Sequence, residues 1–132
     1  MATVDPDHHA RMSALADRFA AAVLAGDIDT LGTLFTSGAE IHQWAVSKVL
    51  APEQSARVAR WLTRKLPDLH FEQRRTTVTE DGYVDRYVLC GTTADGIAVA
   101  SPTCLVVTVG GDGLIQLIDE YFDTVATQAI SG

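Results

Sequence analysis

Three Asp-Gly pairs divide the second half of the chain into four segments, and this division constrains the fold more than any other feature. The pairs are Asp81-Gly82, Asp95-Gly96 and Asp112-Gly113, and each separates two runs rich in Val, Thr, Tyr and Ile. Asp-Gly supplies the positive φ angles that tight hairpins need. The pattern therefore predicts a four-stranded antiparallel meander, with strands at residues 70–79, 83–91, 97–109 and 114–123.

The first half of the chain has helical periodicity instead. Asp5-Pro6 is typical of an N-cap followed by proline at the first helical position, and Gly26 stands where a helix C′ glycine belongs. Apolar residues recur between them at three- and four-residue spacing. A short second helix is predicted at residues 27–35 and a strand at 39–45. A third helix is predicted between Pro52 and Pro67.

Helices first and antiparallel strands afterwards indicate the α+β class rather than a parallel, doubly wound sheet. The chain has 132 residues, of which 47% are apolar. This length fits a single domain over residues 1–132 with one core and one internal cavity.

Charge and composition exclude several kinds of partner. A net charge of −7 disfavours nucleic acid and anionic membranes, which both require a basic surface. No apolar signal segment begins the chain and no apolar run is long enough to span a membrane, so we expect a cytoplasmic protein. Cys90 and Cys104 lack zinc-ligand spacing and no HExxH motif occurs. We therefore expect no metal and no cofactor.

Two ionisable residues stand within apolar rows of the predicted strands. Arg86 alternates with Val84, Val88 and Cys90, and Glu120 lies between Ile118 and Phe122. An arginine buried without a partner is very costly, so Arg86 is predicted to meet an acid. If the helices cover this face, Arg86 and Glu120 share one interior, and Glu120 is a candidate general base.

Two other interpretations of these strands stay open. The Arg86–Glu120 pair is equally typical of a structural ion pair. Alternatively the opposite face of the last strand is buried, which leaves Asp119, Tyr121 and Asp123 inside.

Three segments together resemble the SnoaL-like polyketide cyclases of the nuclear-transport-factor-two-like superfamily, which also includes ketosteroid isomerases and limonene epoxide hydrolases. They are LADRFAAAVLAGDIDTLGTLF at residues 15–35, KLPDLHFE at 65–72 and DGLIQLIDEYFD at 112–123. The resemblance implies a cone: a curved antiparallel sheet wrapped around N-terminal helices, with a deep apolar pocket, assembled as a homodimer. It also implies a small apolar molecule as the ligand.

The resemblance implies site residues position by position. Glu120 falls where SnoaL-like cyclases carry an acid–base aspartate and where the epoxide hydrolases carry a catalytic one. Arg86 matches the arginine of the hydrolases, but Val88 replaces their second aspartate. The functional groups of the ketosteroid isomerases are missing, since Phe19 and Leu105 stand at two of their positions and Gln43 stands at their base.

The first strand supplies further candidates, although its orientation stays open. One alignment points Ile41 and Gln43 inward, and another points His42 and Trp44 inward, because a slip of one residue reverses the faces of a strand. The predicted substrate-binding residues are Gln43, His42, Trp44, Phe19, Val88, Ile118 and Phe122.

Three functional hypotheses follow. The first is a cofactor-independent enzyme in which Glu120 moves a proton next to a carbonyl and Arg86 stabilises charge, leading to cyclisation, isomerisation or elimination. The second is a non-catalytic ligand-binding or dimerisation module, in which Arg86 and Glu120 close on each other without space for a ligand. The third is a divergent epoxide hydrolase in which another group replaces the acid missing at Val88.

Overall fold

The computed structural model describes residues 5–131, with side chains as far as Ile130, so residues 1–4 and 132 of the predicted domain lie outside the described part. The helices are α1 (Pro6–Ala25), α2 (Ile28–Thr33), α3 (Pro52–Lys65) and α4 (Gln128–Ser131), with one 3₁₀ turn at Trp44–Val46. The strands are β1 (Phe35–Gln43), β2 (Lys48–Leu50), β3 (His70–Thr79), β4 (Gly82–Thr92), β5 (Ala98–Val109) and β6 (Ile115–Phe122).

The predicted N-cap and C-terminal glycine of α1 are both confirmed. The Asp5 side chain accepts a hydrogen bond from the backbone N–H of Asp7, and Pro6 occupies the first turn. Gly26 ends the helix in the left-handed conformation at φ 60°. The buried stripe of α1 includes Met12, Leu15 and Phe19, as the helical spacing predicts.

The six strands form one curved sheet in the order β2-β1-β6-β5-β4-β3. The four-stranded antiparallel meander is confirmed as β3 to β6. The predicted curved sheet is confirmed, and its one parallel pairing among the described strands joins β1 to β6. The sequence also left out β2, α4 and the early start of β1 at Phe35.

Two of the three Asp-Gly pairs act as the hairpin rule expects, with Gly96 at φ 81° and Gly113 at φ 77°. Gly82 does not: it is the first residue of β4 and has no positive φ. A Cβ there would lie 1.9 Å from the carbonyl oxygen of Val107, so the glycine is required by the close approach of β5.

Helices α1 and α3 pack against one face of the sheet, which we call the inner face, and the opposite face is the outer face. The main core lies between these helices and the inner face of the sheet. It joins α1 to the sheet through buried Phe19, Ile41, Leu105 and Ile118. A second, smaller cluster of Leu66, Leu89, Val99 and Ile130 connects the end of α3, the sheet and α4. The α+β prediction is therefore confirmed, with the core on one side of the sheet only. Among the described helices, none is long and apolar enough to cross a membrane.

Candidate active site

A pocket of about 490 Å³ lies between the inner face and helices α1 and α3. Its helix side is mostly apolar and includes Phe19, Val23, Val58 and Leu62. Its sheet side carries Gln43, Tyr87, Ser101, Thr103 and Glu120, and further polar residues line it from β2, α3 and the C-terminal segment, namely Lys48, Ser55, Thr124, Thr127 and Gln128. Ile130 of α4 also lines it and packs into the smaller cluster, so the C-terminal segment forms part of the pocket wall. This size and this mixture are typical of a small-molecule site.

Glu120 is the ionisable group of β6 that faces this pocket. Strand alternation directs it inward beside buried Ile118, and its Oε1 accepts a hydrogen bond of 3.2 Å from Nε2 of Gln43. Burial raises the pKa of Glu120, and the Gln43 hydrogen bond lowers it by less. Within residues 5–131, no ion pair involves this carboxylate. Glu120 is therefore a partly buried acid with the neutral amide of Gln43 as its hydrogen-bond donor.

Arg86 does not lie beside Glu120, and the predicted pairing of the two is wrong. In the cross-strand register Glu120 lies opposite Leu105, which lies opposite Asp85, so the inner residue of β4 in this row is Asp85. Arg86 is exposed on the outer face between Arg75 and Cys104. The face of β4 was misassigned because both of its faces carry apolar residues, and a shift of one residue exchanges them.

Arg74, rather than Arg86, is the arginine that faces inward and pairs with an acid. Gln73 (φ 54°) and Arg74 form a bulge in β3, where the register with β4 shifts. Nε of Arg74 lies 2.9 Å from Oδ2 of Asp85, and its Nη1 lies 2.9 Å from Oδ1 of Asp17 on α1. Thr76 also donates a hydrogen bond of 3.1 Å to Oδ1 of Asp85. This cluster links β3, β4 and α1.

Tyr87 is a pocket residue that the sequence interpretation missed. Its ring stacks on Phe71 with 3.8 Å between centroids, which fixes its orientation. Burial, and secondarily the charge of Glu120, raise the pKa of Tyr87 well above 10, so the phenol keeps its proton at neutral pH. The available signal was the alternation of Tyr83, Asp85 and Tyr87, which marks the inner face of β4 once Arg86 is assigned to the outer one.

The open orientation of β1 is now decided. Ile41 is buried and Gln43 lines the pocket. His42 and Trp44 do not face the pocket, which corrects their prediction as substrate-binding residues. His42 Nε2 lies 3.1 Å from a carboxylate oxygen of Glu40, and Nε1 of Trp44 donates to Oδ1 of Asp119 at 2.8 Å.

The other predicted binding residues divide into two groups. Phe19 and Phe122 line the pocket as expected. Val88 instead lines a broad groove on the outer face together with Arg86, and Ile118 is 1% exposed inside the main core. Neither Val88 nor Ile118 is among the residues that line the pocket, so both predictions are corrected.

Fold and site together define a class: a cone-shaped α+β domain whose pocket is lined by a partly buried carboxylate that forms no ion pair among residues 5–131. The SnoaL-like domain family matches residues 16–118, and the chain belongs to that family. No curated protein matches by sequence.

Solved structures share the same fold. A proposed SnoaL-like polyketide cyclase from Jannaschia sp. has a TM-score of 0.79 at 19% identity, over 100% of this chain and 99% of that one. IdmH, a proposed polyketide cyclase from Streptomyces antibioticus, has a TM-score of 0.75 at 21% identity, over 91% and 97%. PrhC from Penicillium brasilianum has a TM-score of 0.77 at 18% identity, over 92% and 85%. At these identities the likeness concerns the fold.

Proposed function

We propose that this protein is a cofactor-independent general acid–base enzyme that acts on a small, largely apolar carbonyl compound. The observation that carries the proposal is the partly buried carboxylate of Glu120 in the wall of a largely apolar pocket, with Gln43 as its hydrogen-bond donor. A carboxyl group whose pKa is raised by burial is a stronger base than a solvated one and remains able to ionise.

In the proposed reaction, Glu120 removes a proton from a carbon next to the substrate carbonyl. The C–H electron pair moves toward the carbonyl oxygen and forms an enolate, and the proton resides on Glu120. Because Gln43 binds Oε1, Oε2 of the carboxylate is the atom left to face the substrate. Returning the proton to another carbon gives an isomer. Attack of the enolate carbon on a second carbonyl of the same molecule gives a ring, and the alkoxide that forms takes the proton back from Glu120.

Tyr87 has the chemistry to stabilise the enolate. Its phenol remains protonated and lines the same pocket as Glu120. A hydrogen bond from a fixed donor to an oxyanion is worth more in a pocket shielded from water than in solution. This assigns to Tyr87 the electrostatic role that the sequence interpretation gave to Arg86.

The substrate class follows from the walls of the pocket. Phe19, Val23 and Leu62 on the helices offer apolar contacts, and Gln43, Tyr87 and Glu120 place polar groups on the sheet side. A molecule with one polar edge and an apolar body fits this division. IdmH and the Jannaschia protein are both described as proposed polyketide cyclases, and polyketide cyclisation is carbonyl chemistry of this kind.

The test is hydrogen–deuterium exchange at carbon. Cyclohex-2-enone, 1-indanone and 2-tetralone are incubated with the protein in D₂O, and loss of the α-proton signal is followed by NMR. We expect catalysed exchange with at least one ketone, and a loss of about 10²–10⁴-fold in Glu120→Gln. Glu40→Gln, which alters an exposed carboxylate on β1, is the matched control and retains the wild-type rate.

Two outcomes contradict the proposal. One is wild-type exchange that Glu120→Gln leaves unchanged. The other is an absence of catalysed exchange although the ketones bind, which favours the non-catalytic ligand-binding module. The hypothesis that Arg86 closes on Glu120 is not retained, because Arg86 lies on the outer face. The epoxide-hydrolase hypothesis is weakened for the same reason, because it requires this arginine in the pocket.

We also propose that the chain forms a homodimer through its outer face and acts in the cytoplasm. Val49, Val106 and Tyr121 lie on this face with exposed fractions of 54%, 37% and 46%. Exposed apolar groups on one sheet face favour a covering partner. Both cysteines are free, which suits a reducing compartment. Light scattering after size exclusion checks the dimer, and a monomeric wild-type protein contradicts it.

A further inference from the structure

Three side chains with metal-binding atoms converge on the outer face, away from the pocket. His70 and Cys90 are cross-strand partners on β3 and β4, and Glu72 lies two residues along β3 on the same face. Nε2 of His70 is 3.3 Å from Oε1 of Glu72, and Sγ of Cys90 is 3.5 Å from Oε2 of the same carboxylate. The ligand atoms of all three residues lie within 4.8 Å of one another.

The His70 ring is held in the orientation that a metal ligand needs. Its Nδ1 lies 2.8 Å from the carbonyl oxygen of Asp68, which accepts a hydrogen bond from that nitrogen. Nδ1 therefore carries a proton. Because the carboxylate of Glu72 can only accept, its contact with Nε2 is made by a protonated ring, and a metal ion takes the place of the Nε2 proton. Asp68 is itself fixed, because the backbone N–H of Thr92 donates to its side chain at 2.6 Å. A backbone carbonyl behind the non-ligating nitrogen is the usual support of a metal-binding histidine.

We propose that His70, Glu72 and Cys90 bind a divalent transition-metal ion of the zinc type. Imidazole, thiolate and carboxylate form a donor set that suits Zn²⁺, with bonds of about 2.0–2.3 Å. Tetrahedral geometry at those lengths places the donor atoms about 3–4 Å apart, close to the spacing of these side chains. Binding releases the proton of the Cys90 thiol and the Nε2 proton of His70, and water completes the fourth position.

The site is independent of the proposed reaction. Leu89, next to Cys90, faces the pocket, whereas Cys90 faces outward. A bound ion would fasten the start of β3 to the end of β4, just before the bulge at Gln73. The proposal departs from the metal-free expectation of the sequence. Strand pairing brings Cys90 and Glu72 together although they are 18 positions apart.

The test is a titration of the purified protein with Co²⁺, followed by displacement with Zn²⁺. We expect one equivalent of Co²⁺ to give a thiolate-to-metal charge-transfer band, which Zn²⁺ abolishes. Cys90→Ser loses the band, and His70→Gln weakens Co²⁺ binding by at least about tenfold. Cys104→Ser, which alters the other cysteine, retains both. Circular dichroism establishes that each variant is folded.

The controls exclude the alternatives. His42 and Glu40 form a similar exposed pair at 3.1 Å without a nearby thiol, so His42→Gln leaves the titration unchanged. The proposal is overturned by the absence of a charge-transfer band at excess Co²⁺, or by a band that persists in Cys90→Ser. Because His70 is half-exposed, His70→Gln tests the site even if Cys90→Ser is unstable, and unchanged Co²⁺ affinity in that variant also overturns it.

Discussion

Asp85 and Glu120 are two carboxylates in one row of the inner face, separated by Leu105; Asp85 is buried, Glu120 is partly buried, and their surroundings differ. Asp85 meets the guanidinium of Arg74 and the hydroxyl of Thr76. Glu120 has the amide of Gln43 and faces a pocket. Burial raises the pKa of both groups. A buried acid with its own cation holds the fold together, whereas one without a cation keeps its reactivity for a ligand.

The Arg74–Asp85 pair accounts for the largest expected effect. Arg74→Met removes the cation and leaves Asp85, with a side chain 3% exposed, without its charged partner. We expect the free energy of unfolding to fall by about 3–5 kcal/mol. Urea denaturation measures it. Arg75→Met, at the exposed neighbour, is the control and changes stability by no more than about 0.5 kcal/mol. Equal effects at both positions contradict a structural role for the pair.

On the catalytic side of the comparison, Tyr87→Phe removes the proposed oxyanion donor and keeps the ring that stacks on Phe71. We expect kcat for ketone exchange to fall by about 10²–10³-fold. The thermal midpoint should stay close to that of the wild type, because the stacked ring remains. An unchanged kcat assigns Tyr87 to packing alone.

The pH dependence of stability separates the two acids. The pKa of Glu120 is raised above 4.5 in the folded protein. Between pH 4.5 and that raised pKa, the folded state therefore binds more protons than the unfolded state. The contribution of Glu120 to stability therefore falls as pH rises through this interval. Glu120→Gln lacks this loss, so its stability relative to the wild type should increase with pH. Asp85 contributes equally to both proteins and cancels in the difference. Urea denaturation from pH 4 upward measures it, and a difference that does not grow with pH contradicts an uncompensated Glu120.

The smallest expected effect concerns the arginine first assigned to the site. Arg86 is exposed on the outer face, so Arg86→Ala should leave ketone exchange unchanged and alter stability by no more than about 0.5 kcal/mol. The rate measurement has a clear alternative outcome. A tenfold loss of activity would mean that Arg86 reaches the pocket after all.

Local signals of the sequence were sufficient for most of the architecture. Helix α1 begins after Asp5 with Pro6 and ends at Gly26, as predicted, and residues 70–79 form β3 with the expected ends. These features depend on backbone preferences of single residues and on short-range periodicity. The short β2 and the parallel docking of β1 beside β6 escaped prediction, since both depend on contacts between distant segments.

The site was predictable only in part. Glu120 was found because an acid between two apolar residues is conspicuous on any strand that has one buried face. Arg86 was misassigned because β4 has apolar residues on both faces, and Arg74 was missed because a bulge turns it inward. Tyr87 escapes prediction for the same reason as the misassignment of Arg86, because the two residues lie on opposite faces of β4.

The sequence by itself determined the fold class, the order of the elements and the acid of the pocket, because periodicity and turn chemistry act over a few residues. The tertiary structure decided which face of each strand is inside and which arginine meets which carboxylate. It also decided which groups converge on the pocket or on the outer cluster of His70, Glu72 and Cys90. These outcomes depend on strand register, where a shift of one residue exchanges the two faces, and the register is fixed only when the helices and the sheet pack together.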